Sequence, residues 1–202
     1  MPRPRTHDEA LREKLLDRAG QLIAEDGPKA LSLRKLAADS GTSTTAVYSL
    51  FGSKTDLVNA LYAEGFRRFG ARLAAVGRTG DAVADLVRLG VAYRESALAE
   101  PHLYAIMFSS SVPGFEPNAE ADEVAGATLE PLTEVVRHAV SSGQFQDAAP
   151  ELITVSLWGF VHGMVSLELS GRLPDGLSVA DGYEKALQAN ASGWLTEAGS
   201  RR

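Results

Sequence analysis

The chain sets an uncharged stretch between cations. Residues 40–51 read SGTSTTAVYSLF, with Arg34 and Lys35 before them and Lys54 after. The first six residues of the stretch are glycine or small hydroxyl residues. Short hydroxyl side chains can donate to and accept from base edges or phosphate oxygens, and the methyl of a threonine or of Ala46 can meet a thymine methyl. Tyr48 carries a phenol that can donate to phosphate. Arg34, Lys35 and Lys54 can neutralise phosphates, which positions a protein on DNA without reading sequence. Acidic side chains would be repelled there, and the stretch has none.

Other chemistry finds little support. Glu130, Glu134 and His138 stand one helical turn apart and could supply half of a metal site, but no matching cluster accompanies them, so they read as a solvated helix face and no metal is expected. The chain has no cysteine, which excludes a disulfide framework, a thiolate metal site and a cysteine nucleophile, and fits a reducing cytoplasm. It has no glycine-rich phosphate loop and no serine elbow. The sequence therefore implies no cofactor and no enzymatic site. The N-terminus MPRPRTHDEALREK lacks an apolar run of the kind a signal peptide needs.

The charge distribution sharpens the DNA reading. The net charge of −6 taken whole argues against a nucleic-acid partner. Residues 1–72, however, hold 12 Lys+Arg against 9 Asp+Glu, whereas residues 73–202 hold 8 against 17. A basic first third on an acidic body suits one part that meets an anion and another that does not.

The elements that must position these residues read as helices throughout. Apolar residues recur at spacings of three and four, and no long alternating β-branched run occurs. Thr6 and Glu9 predict a capping box for a first helix with Ala10, Leu11, Leu15, Ala19, Leu22 and Ile23 on one side. Ser32 predicts the cap of a short helix, and Ser53 with Asp56 the cap of a long one. Further helices are predicted after Gly77, over PHLYAIMF, over about 119–142 with Pro131 as a kink or true start, from Pro150 to near Gly171, and from a Ser178 cap to near Gly199.

In LSLRKLAADSGTSTTAVYSLF, the spacing of Ala37, Gly41 and Val47 fits a helix–turn–helix. A small alanine lets the helices cross, glycine takes the left-handed angle of the turn, and valine anchors the second helix, with Leu36 and Leu50 as apolar supports. Ser43 then caps the second helix, and Thr44, Thr45 and Ala46 form the first turn, which points into the major groove in such motifs. Thr42, after the glycine, stands where this motif usually carries an apolar residue.

Residues 30–57, ALSLRKLAADSGTSTTAVYSLFGSKTDL, resemble the DNA-binding domain of the TetR family of bacterial transcriptional regulators, with Tyr48, Phe51, Gly52, Ser53 and Lys54 matching its pattern. The resemblance spans residues 8–62. It implies an all-α homodimer: a three-helix helix–turn–helix DNA-binding domain over residues 1–52, and a larger C-terminal helical ligand-binding and dimerisation domain over 53–202, with its connecting helix from about residue 53. It implies that Ser32, Tyr48 and Lys54 hold phosphates, that Arg34, Thr44, Thr45 and Ala46 lie near bases, and that Lys35 and Ser43 belong to the same surface. Residues 1–5, with Arg3 and Arg5, could act as a minor-groove arm, a disordered tail being the alternative. The activity implied is that of a cytoplasmic repressor on a palindromic double-stranded operator, released by a small apolar or aromatic effector.

The acidic body adds two expectations. Residues 152–167, LITVSLWGFVHGMVSL, carry no Asp, Glu, Lys or Arg, and Ser156, Gly159, Gly163, Ser166 and Ser170 recur at 3-4-3-4 spacing. Such a stripe admits a second helix closely, and the same helix of a second subunit is the simplest partner, with the last helix completing a four-helix interface; a crossing within the chain is the alternative. The interruptions by His and Ser argue against a membrane span. The Trp158-Gly159 and His162-Gly163 pairs also resemble a C-terminal domain type of these regulators. Phe66, Leu86, Leu89, Tyr93, Leu103, Met107, Phe108, Phe115 and Trp158 could line a ligand pocket between central helices, with Tyr93 or His162 as the polar contact and the loop SSSVPGF as its gate. On the residues alone, a helical small-molecule binding protein or an all-helical enzyme without sequence-specific DNA binding remain the alternatives.

Overall fold

The computed structural model describes the chain except residues 1–4, 28, 30, 109–111, 113, 175, 198 and 200–202, and except the side chains of residues 5–7. Arg3, the side chain of Arg5 and most of the SSSVPGF segment therefore lie outside the described residues. The described residues form ten helices and no strand: α1 (Arg5–Asp26), α2 (Leu33–Asp39), α3 (Thr44–Phe51), α4 (Lys54–Ala74), α5 (Ala82–Ala99), α6 (Pro101–Phe108), α7 (Ala119–Ala127), α8 (Glu130–Ser141), α9 (Pro150–Leu169) and α10 (Tyr183–Ser192). The all-α expectation holds.

The chain divides into two compact units, residues 1–68 with 100–125, and residues 69–99 with 126–202. In the first unit, α1 packs on α2, α3 and α6, and α2 on α3. Its core runs through Leu15, Leu16, Leu22, Leu36, Val47, Leu57 and Leu61, all buried. Of the stripe the sequence suggested for α1, Leu15, Ala19, Leu22 and Ile23 are buried and Leu11 packs against them, while Ala10 is exposed and Leu16 joins the core. Gly20 allows α1 to approach α6 closely: a Cβ there would stand 2.6 Å from His102 Cδ2.

In the second unit, α5 is the hub and packs on α8, α9 and α10. Asp85, a carboxylate buried in α5, accepts bonds from Thr79 N (2.7 Å), Thr79 Oγ1 (2.8 Å) and Gly80 N (3.2 Å), so it fixes the loop that enters the helix. Burial pushes its pKa up, but these bonds outweigh burial and leave it below the ordinary carboxylate value. Arg94 of α5 grips Glu168 of α9 through two bonds of 2.7 and 2.5 Å and lies 5.6 Å from the centre of the Tyr183 ring of α10.

Two boundaries differ from the sequence reading, and at Pro131 the structure takes the second of its alternatives, a true helix start. Because α1 already begins at Arg5, Thr6 lies inside the helix and is no N-cap. Residues 119–142 form two helices, with Pro131 in the first turn of α8, where its missing N–H costs nothing. The last helix starts at Tyr183 behind Gly182, not at a Ser178 cap, and stops at Ser192. It stops there because the chain beyond it pairs with the α8–α9 connection: Gln146 N donates to Trp194 O and Thr196 N to Gln144 O, each at 2.9 Å.

Candidate nucleic-acid interface

The site begins with two capped helices. Ser32 Oγ accepts from Lys35 N at 3.1 Å and opens α2; Ser43 Oγ accepts from Ala46 N at 3.1 Å and opens α3. Each cap satisfies one of the orphan N–H groups of a helix start and stabilises it by about 1 kcal/mol. Between them, Gly41 takes φ +67°. Gly41 N bonds Ala38 O at 3.1 Å and Thr42 N bonds Ala37 O at 2.9 Å, the paired 5→2 and 6→1 bonds of a Schellman ending. This explains the preference for an apolar residue at position 42, since that place usually packs back on the helix. Thr42 is half-buried, and both bonds form despite its hydroxyl.

Val47 is fully buried and Phe51 nearly so, which fixes one side of α3 in the core. The opposite side is open. Thr45, Tyr48 and Ser49 are exposed, and Thr44 and Ala46 half-buried; Tyr48 keeps 53% of its surface accessible. The first turn of α3 thus offers hydroxyls, methyls and backbone N–H groups with no competing charge. Lys54 follows as the first residue of α4, behind Ser53, whose Oγ accepts from Asp56 N at 3.1 Å and donates to Asp56 Oδ2 at 2.6 Å.

The cations are not equivalent. Arg34 is exposed on α2. Lys35 lies 3.3 Å from Asp39 Oδ2 and 3.8 Å from Asp26 Oδ2, so any phosphate must compete with two carboxylates for it. Asp39 is also held by Arg18 at 2.9 Å; that hydrogen bond lowers the Asp39 pKa below its ordinary value, with a smaller opposing effect from burial.

Two residues of α1 that sequence reasoning passed over complete the support. Lys14 Nζ donates to Ser40 O at 2.9 Å, pinning the turn to α1, and the guanidinium of Arg12 lies 5.8 Å from the centre of the Phe51 ring. Their only signal in the sequence was a cation on the polar face of α1, which does not name a partner.

The residues expected to line a pocket fall in both units. In the first unit, Met107, Phe108 and Phe115 join Tyr62 around a cavity of about 370 Å³. Phe66 belongs to the same aromatic cluster, 5.2 Å from Phe108 and 4.9 Å from Tyr62 between ring centres, whereas Leu103 lies in the core with α1. In the second unit, Tyr93 Oη and His162 Nδ1 stand 3.1 Å apart, Phe69 meets Tyr93 edge-on at 4.8 Å, and the Trp158 and His162 rings are 5.9 Å apart. Burial lowers the His162 pKa and favours the neutral ring. Leu86 is buried on α5, and Leu89 borders a different cavity of about 330 Å³ beside Asp85.

On α9, Ser156, Gly159 and Ser170 are exposed, and Gly163 and Ser166 half-buried. A Cβ added at Gly159 or Gly163 would meet nothing within 4 Å, so among the described residues no helix of the protomer crosses these glycines. Glu130, Glu134 and His138 are exposed on α8, with Glu130 bonded to Arg137 at 3.1 Å.

Comparison with known proteins fits this geometry. The family model of bacterial regulatory proteins of the tetR family matches residues 15–61, from within α1 into α4. That of the tetracyclin repressor-like C-terminal domain matches residues 86–190, more than half of the chain. The chain belongs to the TetR family. It is a DNA-binding transcriptional regulator of the helix–turn–helix type, and regulators of the TetR family bind DNA as dimers and respond to small molecules. The HTH-type transcriptional regulator Rv1816 of Mycobacterium tuberculosis is 22% identical over 197 residues, covering 81% of this chain and 82% of its own. A Rhodococcus sp. RHA1 protein shares the fold with TM-score 0.79 at 29% identity, covering 92% of this chain and 96% of that one. The TetR-family regulator PfmR of Thermus thermophilus shares the fold with TM-score 0.68 at 21% identity, over 91% of this chain and 100% of its own.

Proposed function

We propose that this regulator is a cytoplasmic, homodimeric repressor that reads a palindromic operator through the first turn of α3 and leaves it when a small apolar or aromatic effector binds. The observation that carries the reading is the uncharged, partly exposed first turn of α3, capped by Ser43 and set on a Schellman turn. Thr44, Thr45, Ala46 and Arg34 face base edges, while Ser32, Tyr48 and Lys54 hold phosphates on either side. Lys35 and Ser43 act behind them, the first by exchanging carboxylate for phosphate, the second by keeping the turn wound.

Dimerisation through α9 and α10 is supported by what α9 leaves uncovered. Leu152, Val155 and Leu167 are 61%, 56% and 47% exposed, on a helix whose glycines have open space beside them. By length and composition α9 could also cross a membrane. The small-residue stripe favours a second helix packed closely, and two-fold operators require two-fold proteins. Domains divided near residue 52 fit this reading, with α4 leading from the DNA-reading helices into the regulatory part.

Release follows from population shift. One conformation sets the two α3 helices about 34–36 Å apart, one turn of DNA. An effector that binds another conformation better depletes the first by its differential affinity. Tyr93 and His162 offer the effector one hydrogen-bonding pair beside the apolar Phe69 and Trp158.

The test is binding to DNA from upstream of the protein's own gene and to palindromes selected from a random pool, across a salt series. Affinity should fall steeply as salt rises, because phosphate contacts release counterions. Lys54→Ala should weaken all sites about equally, and Thr44→Ala or Thr45→Ala should change base preference. If both classes of variant keep wild-type affinity and preference, α3 does not read the operator.

A further inference from the structure

Away from the DNA-reading face, a cluster of charges centres on Arg68 of α4. Its Nε donates to Glu64 Oε1 at 2.6 Å, and its Nη1 to Asp17 Oδ1 at 2.7 Å and to Glu100 Oε1 at 2.9 Å. One guanidinium thus holds carboxylates from its own helix, from α1 and from the residue that precedes α6. Glu64 is 4% exposed, and Arg67 adds bonds of 2.8 and 2.6 Å to its two oxygens. Burial alone would lower the Arg68 pKa; the bonds to Glu64, Glu100 and Asp17 outweigh it, so the guanidinium stays charged.

The place of this cluster along the chain is informative. Arg68 is the last residue of the first compact unit before the chain leaves it, and Glu100 is the first after the chain returns. Their ion pair ties the outgoing helix to the incoming one. Asp17 brings in α1, the helix that carries the reading elements: Lys14, one turn before Asp17, holds the turn at Ser40, and Arg18 holds Asp39 of α2. Leu15, Leu22, Leu36 and Val47 pack α1, α2 and α3 into one core, which Leu57 and Leu61 of α4 and Leu103 of α6 also enter, so the polar clasp adds a directional tie to that packing. At the crossing of α1 and α6 the His102 ring sits directly against Gly20, where an added Cβ would stand 2.6 Å from Cδ2.

We propose that Arg68 is a positioning residue for DNA recognition, clasping α1 and the start of α6 to α4 so that the block of α1, α2 and α3 is presented at one fixed angle. The planar fork of arginine suits carboxylates lying in several directions, which the compact ammonium of lysine serves poorly. The clasp works through Asp17 and touches no DNA. Within the dimer proposed above, loosening this angle would spread the distance between the two reading helices. This inference rests on the dimeric, palindrome-reading function proposed above.

The experiment compares wild type, Arg68→Met, Arg68→Lys, Asp17→Asn and Glu100→Gln on palindromes selected by the wild type, with the half-site separation lengthened or shortened by one base pair. Wild type should show a sharp optimum. Arg68→Met should lose about three- to tenfold in affinity at that optimum and lose less at the altered separations, so the profile flattens. Asp17→Asn and Glu100→Gln should each flatten it partly, and Arg68→Lys should fall between wild type and Arg68→Met. A merely structural role lowers the melting temperature and leaves the profile unchanged. Asp17 is half-exposed, so Asp17→Asn keeps the test open if Arg68→Met fails to fold. A sharp wild-type optimum with unchanged profiles in folded variants overturns the clasp alone. Wild type binding no palindrome at any separation overturns the clasp together with the function it rests on.

Discussion

Replacing Gly41 by alanine isolates the contribution of the turn's backbone. The residue sits at φ +67°, and a Cβ there would meet nothing within 4 Å. The substitution therefore carries no clash with neighbours, and its cost is conformational. Holding an L-residue in the left-handed region costs about 1–2 kcal/mol. Alanine also restricts the unfolded chain, which offsets about 0.4–1 kcal/mol. The net expectation is a loss of about 1 kcal/mol.

The turn should survive that loss. Flipping residue 41 to negative φ would break the bonds from Gly41 N to Ala38 O and from Thr42 N to Ala37 O, about 1 kcal/mol each, and would swing α3 out of the core with Val47. Keeping the strained angle is cheaper. Gly41→Ala should thus lower stability in urea titrations while DNA affinity, measured by fluorescence anisotropy well below the melting temperature, changes less than about threefold. Gly41→Asn should cost about half as much, because asparagine tolerates this region. Gly41→Pro, fixed near φ −65° and lacking the N–H, should abolish binding. A neutral or stabilising Gly41→Ala, or an asparagine worse than alanine, would refute the reasoning.

Three further outcomes are expected. Gly163→Leu should give a folded protomer, since the added side chain meets open space, but one that runs as a monomer or aggregate in light scattering; a clean dimer would remove α9 from the interface. Ser40 is 3% exposed and its Oγ has no hydrogen-bond partner among the described residues, so Ser40→Ala should stabilise by about 1 kcal/mol in urea titrations, and a clear loss would contradict this. Burial raises the Glu64 pKa, but the bonds from Arg67 and Arg68 outweigh it and leave the value depressed. Its stabilisation is therefore full above the ordinary value of 4.5 and lost as pH falls through the lower folded value, so Glu64→Gln should reduce the loss of melting temperature between neutral and acid pH.

The helix–turn–helix was legible because its determinants are local. Ser32, Ala37, Gly41, Ser43 and Val47 lie within 16 residues, and each acts on a backbone or core position fixed by its neighbours in sequence. The supports of the same motif were illegible because they join distant residues: Lys14 reaches a carbonyl 26 positions away, and Arg68 an aspartate 51 away. No periodicity marks such pairs. Local reasoning also erred where a pattern had no competitor in view. Thr6 with Glu9 has the form of a capping box, but nothing in four residues tells whether a helix has already begun. The pocket candidates were legible as apolar or aromatic side chains, all but Phe115 on helices, and periodicity gives no sign of which of them border a cavity.

Charge shows why a regional count and a functional surface differ. The excess of cations in residues 1–72 pointed to DNA, yet many of them are engaged within the protein. Lys14 holds a carbonyl, Arg18 and Lys35 hold carboxylates, and Arg67 and Arg68 surround Glu64. Only cations that reach phosphate contribute to counterion release, about 0.9 in the logarithmic salt slope for each phosphate neutralised. The slope should therefore be far shallower than the regional count of basic residues would give. What the engaged cations supply is rigidity: they bind the turn, the supporting helix and α4 to α1. An uncharged reading turn needs that rigidity, because hydroxyl contacts act over a few tenths of an ångström, whereas point charges tolerate displacement.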